Sequence, residues 1–365
     1  MTPARIHLIR TRYPHWGAHT GNHQFLAFLD TERFTTDLHT AADGDADFPS
    51  GNAAIRALLR RLVKGGGMAW YGLSDLVAEW RAFRHSNGGA IDILHYLDGE
   101  HSAQFLPMIR RLAPRSRLIA TYHQPASVLP GLLRPSVLEA LDAITVVSPV
   151  QRPFFERFVP AERVHTILHG IDTAFFRPPE AGGLHDRTPG TSTGNGEARD
   201  TFDCITVGHY LRDFATLRRT VERLASRVDL RFHVVTNRPT GLEALPSVRV
   251  HQNVPDADLL VLYQSADALL LPLTDCTANN ALLEGMACGL PVVTSDLESV
   301  RVYAPGEEAL RVAVGDWAGM AEAILSLVAS PARRAIMGRA ARLRAEQLAW
   351  PGIARQYEAL YASLL

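Results

Sequence analysis

The chain has 365 residues, with 37 Lys and Arg against 38 Asp and Glu, for a formal charge of −1. That length suggests two domains, the 47% apolar content lets each bury a core, and the missing basic surplus excludes a general nucleic-acid binder. There is no run of about 18 apolar residues and no signal-peptide core, and Cys204, Cys276 and Cys288 are too scattered for a disulfide framework or zinc site, so a cytoplasmic protein is expected.

In chain order, short β-branched runs alternate with helical periodicities. The first half reads as strands near 4–9, 34–40, 91–97, 117–122, 142–148 and 163–168. Helices are expected near 21–31, 50–63, 72–84, 102–113, 133–140 and 149–157. Residues 178–200 hold five Gly, three Pro and almost nothing apolar, and read as a linker. The second half repeats the scheme, with strands near 203–208, 230–236, 247–251, 267–273, 290–294 and 309–314. Its helices are expected near 213–226, 256–265, 279–288, 316–328, 331–347 and 351–364. Such alternation means βαβ units, hence an α/β protein of two doubly wound parallel sheets, over 1–177 and 201–345, followed by a terminal helix in 346–365. Ligands of these sheets sit at the carboxyl ends of the strands, so the cleft between the domains is the expected site.

Several motifs are weaker than they look. Asp43, Asp45 and Asp47 are spaced as cation ligands, but Phe48 stands where a calcium loop needs Gly and no Glu closes the run, so a surface loop is expected. His15, His19 and His23 would share one face of a helix, yet Gly17 and Gly21 lie among them. The segment reads better as the loop after the first strand, with Gly17 allowing close approach of a ligand. Gly65, Gly66 and Gly67 follow a helical stretch, not a strand, and so do not make a dinucleotide turn. Residues 56–80 combine Arg56, Arg60, Arg61 and Lys64 with Trp70, Tyr71 and Trp80; this could dock on anionic lipid at the inner face of a membrane, or be an ordinary amphipathic helix and packing loop.

The informative stretch is 266–296. A strand ends at Pro272, a polar loop follows, and an almost wholly apolar helix carries a single charge, Glu284. A carboxylate there needs water or a specific partner. The helix start, with Thr277, Asn279 and Asn280, offers N–H groups and a positive dipole end to a phosphate. Phosphate at that end and hydroxyls at Glu284 would describe a nucleoside diphosphate; Glu284 facing water is the alternative.

Pro272, then Glu284 twelve residues on, then Gly-Met-Ala-Cys-Gly-Leu-Pro-Val over 285–292, resembles the signature of the family 4 retaining glycosyltransferases of GT-B fold. His169-Gly170-Ile171-Asp172 with Phe176 and Pro178 resembles the turn closing their first domain, and Ile205–Gly208 the strand opening the second. The resemblance implies a hexosyltransferase using a nucleoside diphosphate sugar, UDP- or GDP-linked, with no cofactor or metal. The acceptor would be a saccharide, lipid-linked or small-molecule hydroxyl. The resemblance also implies a last helix that returns to the first domain, with closure of the domains about 178–200 excluding water. His123 falls where the family has a His near the donor sugar, and the backbone around Val254 would meet the base. Glu284 would hold ribose hydroxyls. The first Glu of the family pair falls at Cys276, with Asp275 one residue earlier as the candidate to hold the sugar. Cations usual after the opening-strand Gly are replaced here by His209-Tyr210-Leu211-Arg212, so Arg212 beside Gly208 and His209, and Arg238 after the next strand, would meet the diphosphate. Other readings on the same fold are a sugar-nucleotide epimerase and, because of Cys276, a non-catalytic sugar-nucleotide-binding subunit. A two-lobed solute-binding protein is the reading from another class.

Overall fold

A computed structural model of the protein describes residues 3–13, 17–42, 45, 47–65, 67–86, 93–180, 201–227 and 229–365. Asp43, His15, Gly66 and residues 181–200 of the expected linker lie outside the described residues. Contacts divide the chain into two compact units. The first takes Met1–Trp16, Gly21–His169 and Trp350–Leu365, and the second takes Gly17–Thr20 and Gly170–Ala349. Chain order alone would assign Gly17–Thr20 to the first domain.

The first unit is built on β1 (Ala4–Arg12), β2 (Phe34–Ala42), β3 (Ile93–Tyr96), β4 (Arg117–Tyr122), β5 (Ala143–Val146) and β6 (Val164–Thr166). All pair in parallel in the order β2-β1-β3-β4-β5-β6, so the chain reverses its direction of winding between β1 and β3. One face packs a core around Ile9, Leu94, Ala120 and Val146. The other packs Ile6, Leu8, Ile93 and Ile119 against Trp350, Ile353, Tyr357 and Tyr361 of the final helix, Trp350–Leu364. His95, buried within β3, is held between Tyr361 Oη and Thr121 Oγ1, each at 2.8 Å. Burial pulls its pKa down to about 3, so it stays neutral at ordinary pH.

Helices in this unit are shorter than the periodicity predicts. The stretch expected near 21–31 is a 3₁₀ turn, Gln24–Phe28. The one near 102–113 divides into Gly99–Ser102 and Leu106–Leu112. Those near 133–140 and 149–157 contract to Pro135–Glu139, Pro149–Gln151 and Arg152–Phe155. Prolines at the first helical positions set these starts, because proline cannot donate the hydrogen bond a longer helix would need there.

The second unit holds β7 (Phe202–Val207), β8 (Leu230–Val235), β9 (Val248–His251), β10 (Ala268–Leu271), β11 (Val292–Ser295) and β12 (Ala309–Val312). The order is β12-β11-β10-β7-β8-β9, again all parallel. Its reversal falls between β7 and β10, and a ligand of a doubly wound sheet sits outside the carboxyl ends of the strands at such a point.

Candidate functional site

At that reversal, two loops are stitched together. The loop after β7 runs through Gly208 to Arg212, and the loop after β10 starts at Pro272. Arg212 and Leu273 form an isolated antiparallel bridge. Asp213 N–H donates to Pro272 O (3.0 Å), and Thr274 N–H donates to Leu211 O (3.0 Å). Leu211 adopts φ +56°, a left-handed conformation unusual for a branched side chain and held by these contacts. Gly208 has φ +89°, and a Cβ there would stand 2.9 Å from Arg212 Nη2, so this position needs glycine twice over.

Arg212 is fixed by three acceptors: Nε donates to Val207 O (2.8 Å), Nη1 to Tyr210 O (3.0 Å) and Nη2 to Asn279 Oδ1 (3.2 Å). Burial lowers its pKa to about 10, against Tyr263, Cys276 and Glu284, which favour the charge; it is therefore a cation at neutral pH. Asn279 caps the helix Asn280–Ala287, its Oδ1 also accepting from Leu282 N–H (3.2 Å). Helix geometry leaves the N–H groups of Asn280 and Ala281 without intrahelical acceptors. Guanidinium, cap and helix start thus form one electropositive corner.

Glu284 lies on the same helix and is buried, so the alternative in which it faces water is excluded. Its Oε2 accepts from Tyr263 Oη (2.8 Å) and its Oε1 from Thr20 Oγ1 (3.4 Å). Burial raises its pKa to about 7; the hydrogen bonds from Tyr263 and Thr20 pull it back only in part. Tyr263 and Thr20 are invisible as site residues in the sequence. The only signal for the Thr20 loop is Gly17, where a Cβ would fall 1.7 Å from Asp256 Oδ1. Asp256 Oδ2 accepts from Ala18 N–H (2.7 Å) and His19 N–H (3.3 Å). His19 pairs with Asp172 (2.8 Å) and stacks on Phe175 with ring centroids 3.6 Å apart. Gly17 therefore serves close packing on Asp256.

Asp275 is half-buried and accepts from Cys276 N–H (2.8 Å). Cys276 is buried, and burial, then Asp275, push its thiol up to about 12. It is thus a neutral thiol at physiological pH. Thr277 is buried beside it. Arg238 is exposed on the loop after β8, with its backbone N–H on Thr236 Oγ1 (3.3 Å), and half-buried Val254 follows β9. His209 accepts, through its carbonyl, from Arg212 N–H (3.3 Å).

His123 belongs to the first unit, after β4. Its Nε2–H donates to Leu97 O (2.8 Å). Its backbone N–H donates to the buried Glu100, as does that of Gln124 (2.7 Å).

The other candidates resolve as structure. Asp45 has φ +64° and accepts from Arg60 Nε (2.7 Å) and from the backbone of Leu73 and Ser74. Burial opposes its charge, but those bonds outweigh it and hold the carboxyl below its usual range. Asp47 accepts from Ala42 N–H (2.8 Å). Of the two described histidines in the spaced trio, His19 lies in the second unit and His23 in the first, and burial draws His23 down to about 4. Among the described residues no three His, Cys, Asp or Glu side chains are grouped to hold a metal ion. No helix among them is long and apolar enough to cross a membrane.

Comparison with known proteins gives this corner a setting. A family 4 glycosyltransferase profile matches residues 17–175, and a glycosyl transferases group 1 profile matches 202–330. The phosphatidyl-myo-inositol mannosyltransferase of Mycolicibacterium smegmatis is 26% identical over 76% of this chain and 72% of its own length. Among solved structures, sucrose-phosphate synthase from Thermosynechococcus elongatus superposes with a TM-score of 0.71 at 19% identity, covering 99% of each chain. Anabaena HepE, solved in complex with UDP-glucose, gives 0.67 at 14% identity over 98% of this chain and 99% of its own. The two profiles fall on the two sheets, and the chain belongs to the family 4 glycosyltransferases of GT-B fold, as a hexosyltransferase.

Proposed function

We propose that the chain moves a sugar from a UDP- or GDP-sugar to a hydroxyl of a saccharide, lipid-linked or small-molecule acceptor, with retention at the anomeric carbon and without a metal ion or other cofactor. The observation that carries the reading is the Arg212–Asn279 pair at the start of the helix bearing the buried Glu284. A fixed cation and unpaired N–H groups meet a diphosphate whose charge grows as the glycosidic bond breaks, and being fixed beforehand they cost no reorganisation. The fold is one that holds UDP-glucose in HepE, which supports the donor class.

Arg212 and the N–H groups of Asn280 and Ala281 take the diphosphate, with Thr277 and the Gly208–His209 backbone beside it. Arg238 adds a second cation. Glu284 accepts the ribose hydroxyls: its Thr20 contact, at 3.4 Å, is long enough for an entering hydroxyl to displace. The backbone near Val254 meets the base. Asp275, the less buried member of its pair with Cys276, holds the sugar hydroxyls and orients the anomeric carbon. The acceptor oxygen bonds to that carbon as the bond to the diphosphate oxygen breaks, and the acceptor proton passes to the departing phosphate.

Incubation with a panel of UDP- and GDP-sugars is expected to release the nucleoside diphosphate slowly, at a rate EDTA leaves unchanged. Proton NMR of the transfer product is expected to show the donor's anomeric configuration. Binding without hydrolysis or transfer of any donor would overturn the reading; loss of activity in EDTA or an inverted product would remove its metal-free or its retaining part.

A further inference from the structure

Each sheet ends in two edge strands, and one of the four differs from the rest. β6, β9 and β12 run for three or four residues, whereas β2 runs for nine, Phe34–Ala42. Unpaired N–H and C=O groups on an edge invite another strand, and proteins discourage this with short edges, lysine, proline or a bulge. β2 contains no lysine and no proline, and all nine residues pair with β1 in unbroken register. Its threonines at 35, 36 and 40 favour an extended chain.

The register decides which backbone groups are open. Ala4 is paired with Phe34, and Ala4 N–H donates to Arg33 O (2.9 Å). Odd-numbered residues of β2 therefore turn their N–H and C=O groups towards β1, and even-numbered ones turn theirs away. At the two ends the outward N–H groups are used, that of Phe34 by Asp30 O (2.9 Å) and that of Ala42 by Asp47 (2.8 Å). Between them, Thr36, Leu38 and Thr40 present their backbone to the edge, and no strand among the described residues pairs with it. Residues 35–38 are exposed, and Leu38 belongs to neither apolar core of this unit.

This open stretch is complementary to itself. A second copy turned about a two-fold axis at Leu38 runs antiparallel, with Leu38 opposite Leu38, Thr36 opposite Thr40 and Asp37 opposite His39. Residues 36, 38 and 40 all face outward, so each of their pairs would exchange two N–H···O bonds. Asp37 and His39 fall at the non-hydrogen-bonded position, where cross-strand side chains come closest, and symmetry forms this acid–imidazole pair twice. In its own chain Asp37 lies 3.7 Å from the His7 ring, and His39 is hydrogen-bonded to the same ring at 3.0 Å. Moving the axis to Thr36 would set Asp37 against Thr35, and moving it to Thr40 would set His39 against Ala41. The charge match therefore selects Leu38.

We propose that β2 pairs with β2 of a second copy of this chain, antiparallel about Leu38, joining two first-unit sheets into one. A self-complementary patch is what a two-fold dimer requires. One strand buries less than a permanent interface does, so the association depends on concentration. The inference is independent of the donor reading.

The test is sedimentation equilibrium of the full chain over a concentration series, with a monomer–dimer equilibrium expected. Leu38→Pro removes an outward N–H and no bond to β1, and Leu38→Lys sets like charges on the axis. Both are expected to be monomeric where the wild type is dimeric, and to keep its melting temperature at high dilution. Asp37→Lys should weaken the dimer about tenfold, and Asp37→Lys/His39→Asp should recover it. Under air oxidation, Leu38→Cys should form a disulfide dimer, because facing Cα atoms there are about 5.5 Å apart. Thr36→Cys should not, since its two copies lie about 14 Å apart along the strands. The three native cysteines are buried. A monomer at every concentration would overturn the proposal and leave the edge to a strand of another protein. So would a dimer that survives both Leu38 substitutions, or cross-linking of Thr36→Cys as efficient as that of Leu38→Cys.

Discussion

At the carboxyl ends of β7 and β10 the second unit sets a guanidinium and a helix start, whereas beyond β3 the first unit sets two buried carboxylates, Asp98 and Glu100. Asp98 accepts from Thr11 N–H (2.9 Å) and Asn22 Nδ2 (3.0 Å). Glu100 accepts from the backbone of His123 and Gln124, and burial raises its pKa. Both sheets have six parallel strands and one reversal of order, so the difference lies wholly in the loops. In the first unit the polar groups face inward and tie loop to loop; in the second a cation and the start of a helix lie at the carboxyl ends of the strands. A shared sheet topology therefore says where a ligand can sit, and loop chemistry says which charge it carries.

The contrast is most exposed at Arg212. Arg212→Ala is expected to reduce kcat/KM for transfer by about 10²–10³-fold, the scale of losing one preorganised donor to a developing oxyanion. Arg212→Lys should restore only part, since an ammonium cannot span the acceptors of the planar fork. Alanine activity within about threefold of wild type would erase the distinction between the two units. The next effect sharpens the site: Asp275→Ala should lower turnover by roughly 10–100-fold, the worth of hydrogen bonds to a charged group, while Cys276→Ala should cost about threefold or less. The reverse order would make Cys276 the contact to the sugar.

The smallest effect belongs to the first unit. Burial, only partly offset by hydrogen bonds, raises Asp75 to about 7 and Glu79 to about 8, the latter held by Tyr71 Oη (2.5 Å) and Tyr96 Oη (2.9 Å). Their folded-state values exceed the unfolded ones, so the folded chain binds more protons between them. Their contribution to stability is fully present below the ordinary carboxylate range and is lost as pH rises through 7 and 8. Glu79→Gln should flatten the decline in melting temperature from pH 5 to 8.5 by about a few degrees, with turnover at fixed pH unchanged. A decline as steep as wild type would show that Glu79 does not titrate in that window.

Much of this was legible from residue order and some was not. Parallel strands are short β-branched runs bounded by turn residues, and each expected strand has a counterpart. Periodicity predicts longer helices in the first unit than form, because it ignores the prolines at 107, 135, 149 and 153, which fix where a helix can start. Glu284 stood out as a lone charge in an apolar helix. Its partners did not, because Tyr263 is 21 residues away and Thr20 is 264 away. The Arg212–Asn279 contact spans 67 residues and no local pattern encodes it. Burial separates Asp275 from Cys276, and it depends on how the loop after β10 is anchored to Leu211.

The division of the chain also has a consequence for folding. Neither unit is a contiguous stretch of sequence: the second borrows Gly17–Thr20 from between β1 and β2, and the first borrows Trp350–Leu365. During synthesis, β1 to β6 emerge well before the helix whose Tyr357 and Tyr361 complete their apolar face. The first sheet therefore emerges with that face covered only in part, by Phe25 and Leu29, until this helix follows. Such long-range closure slows folding and leaves apolar surface exposed in its intermediates.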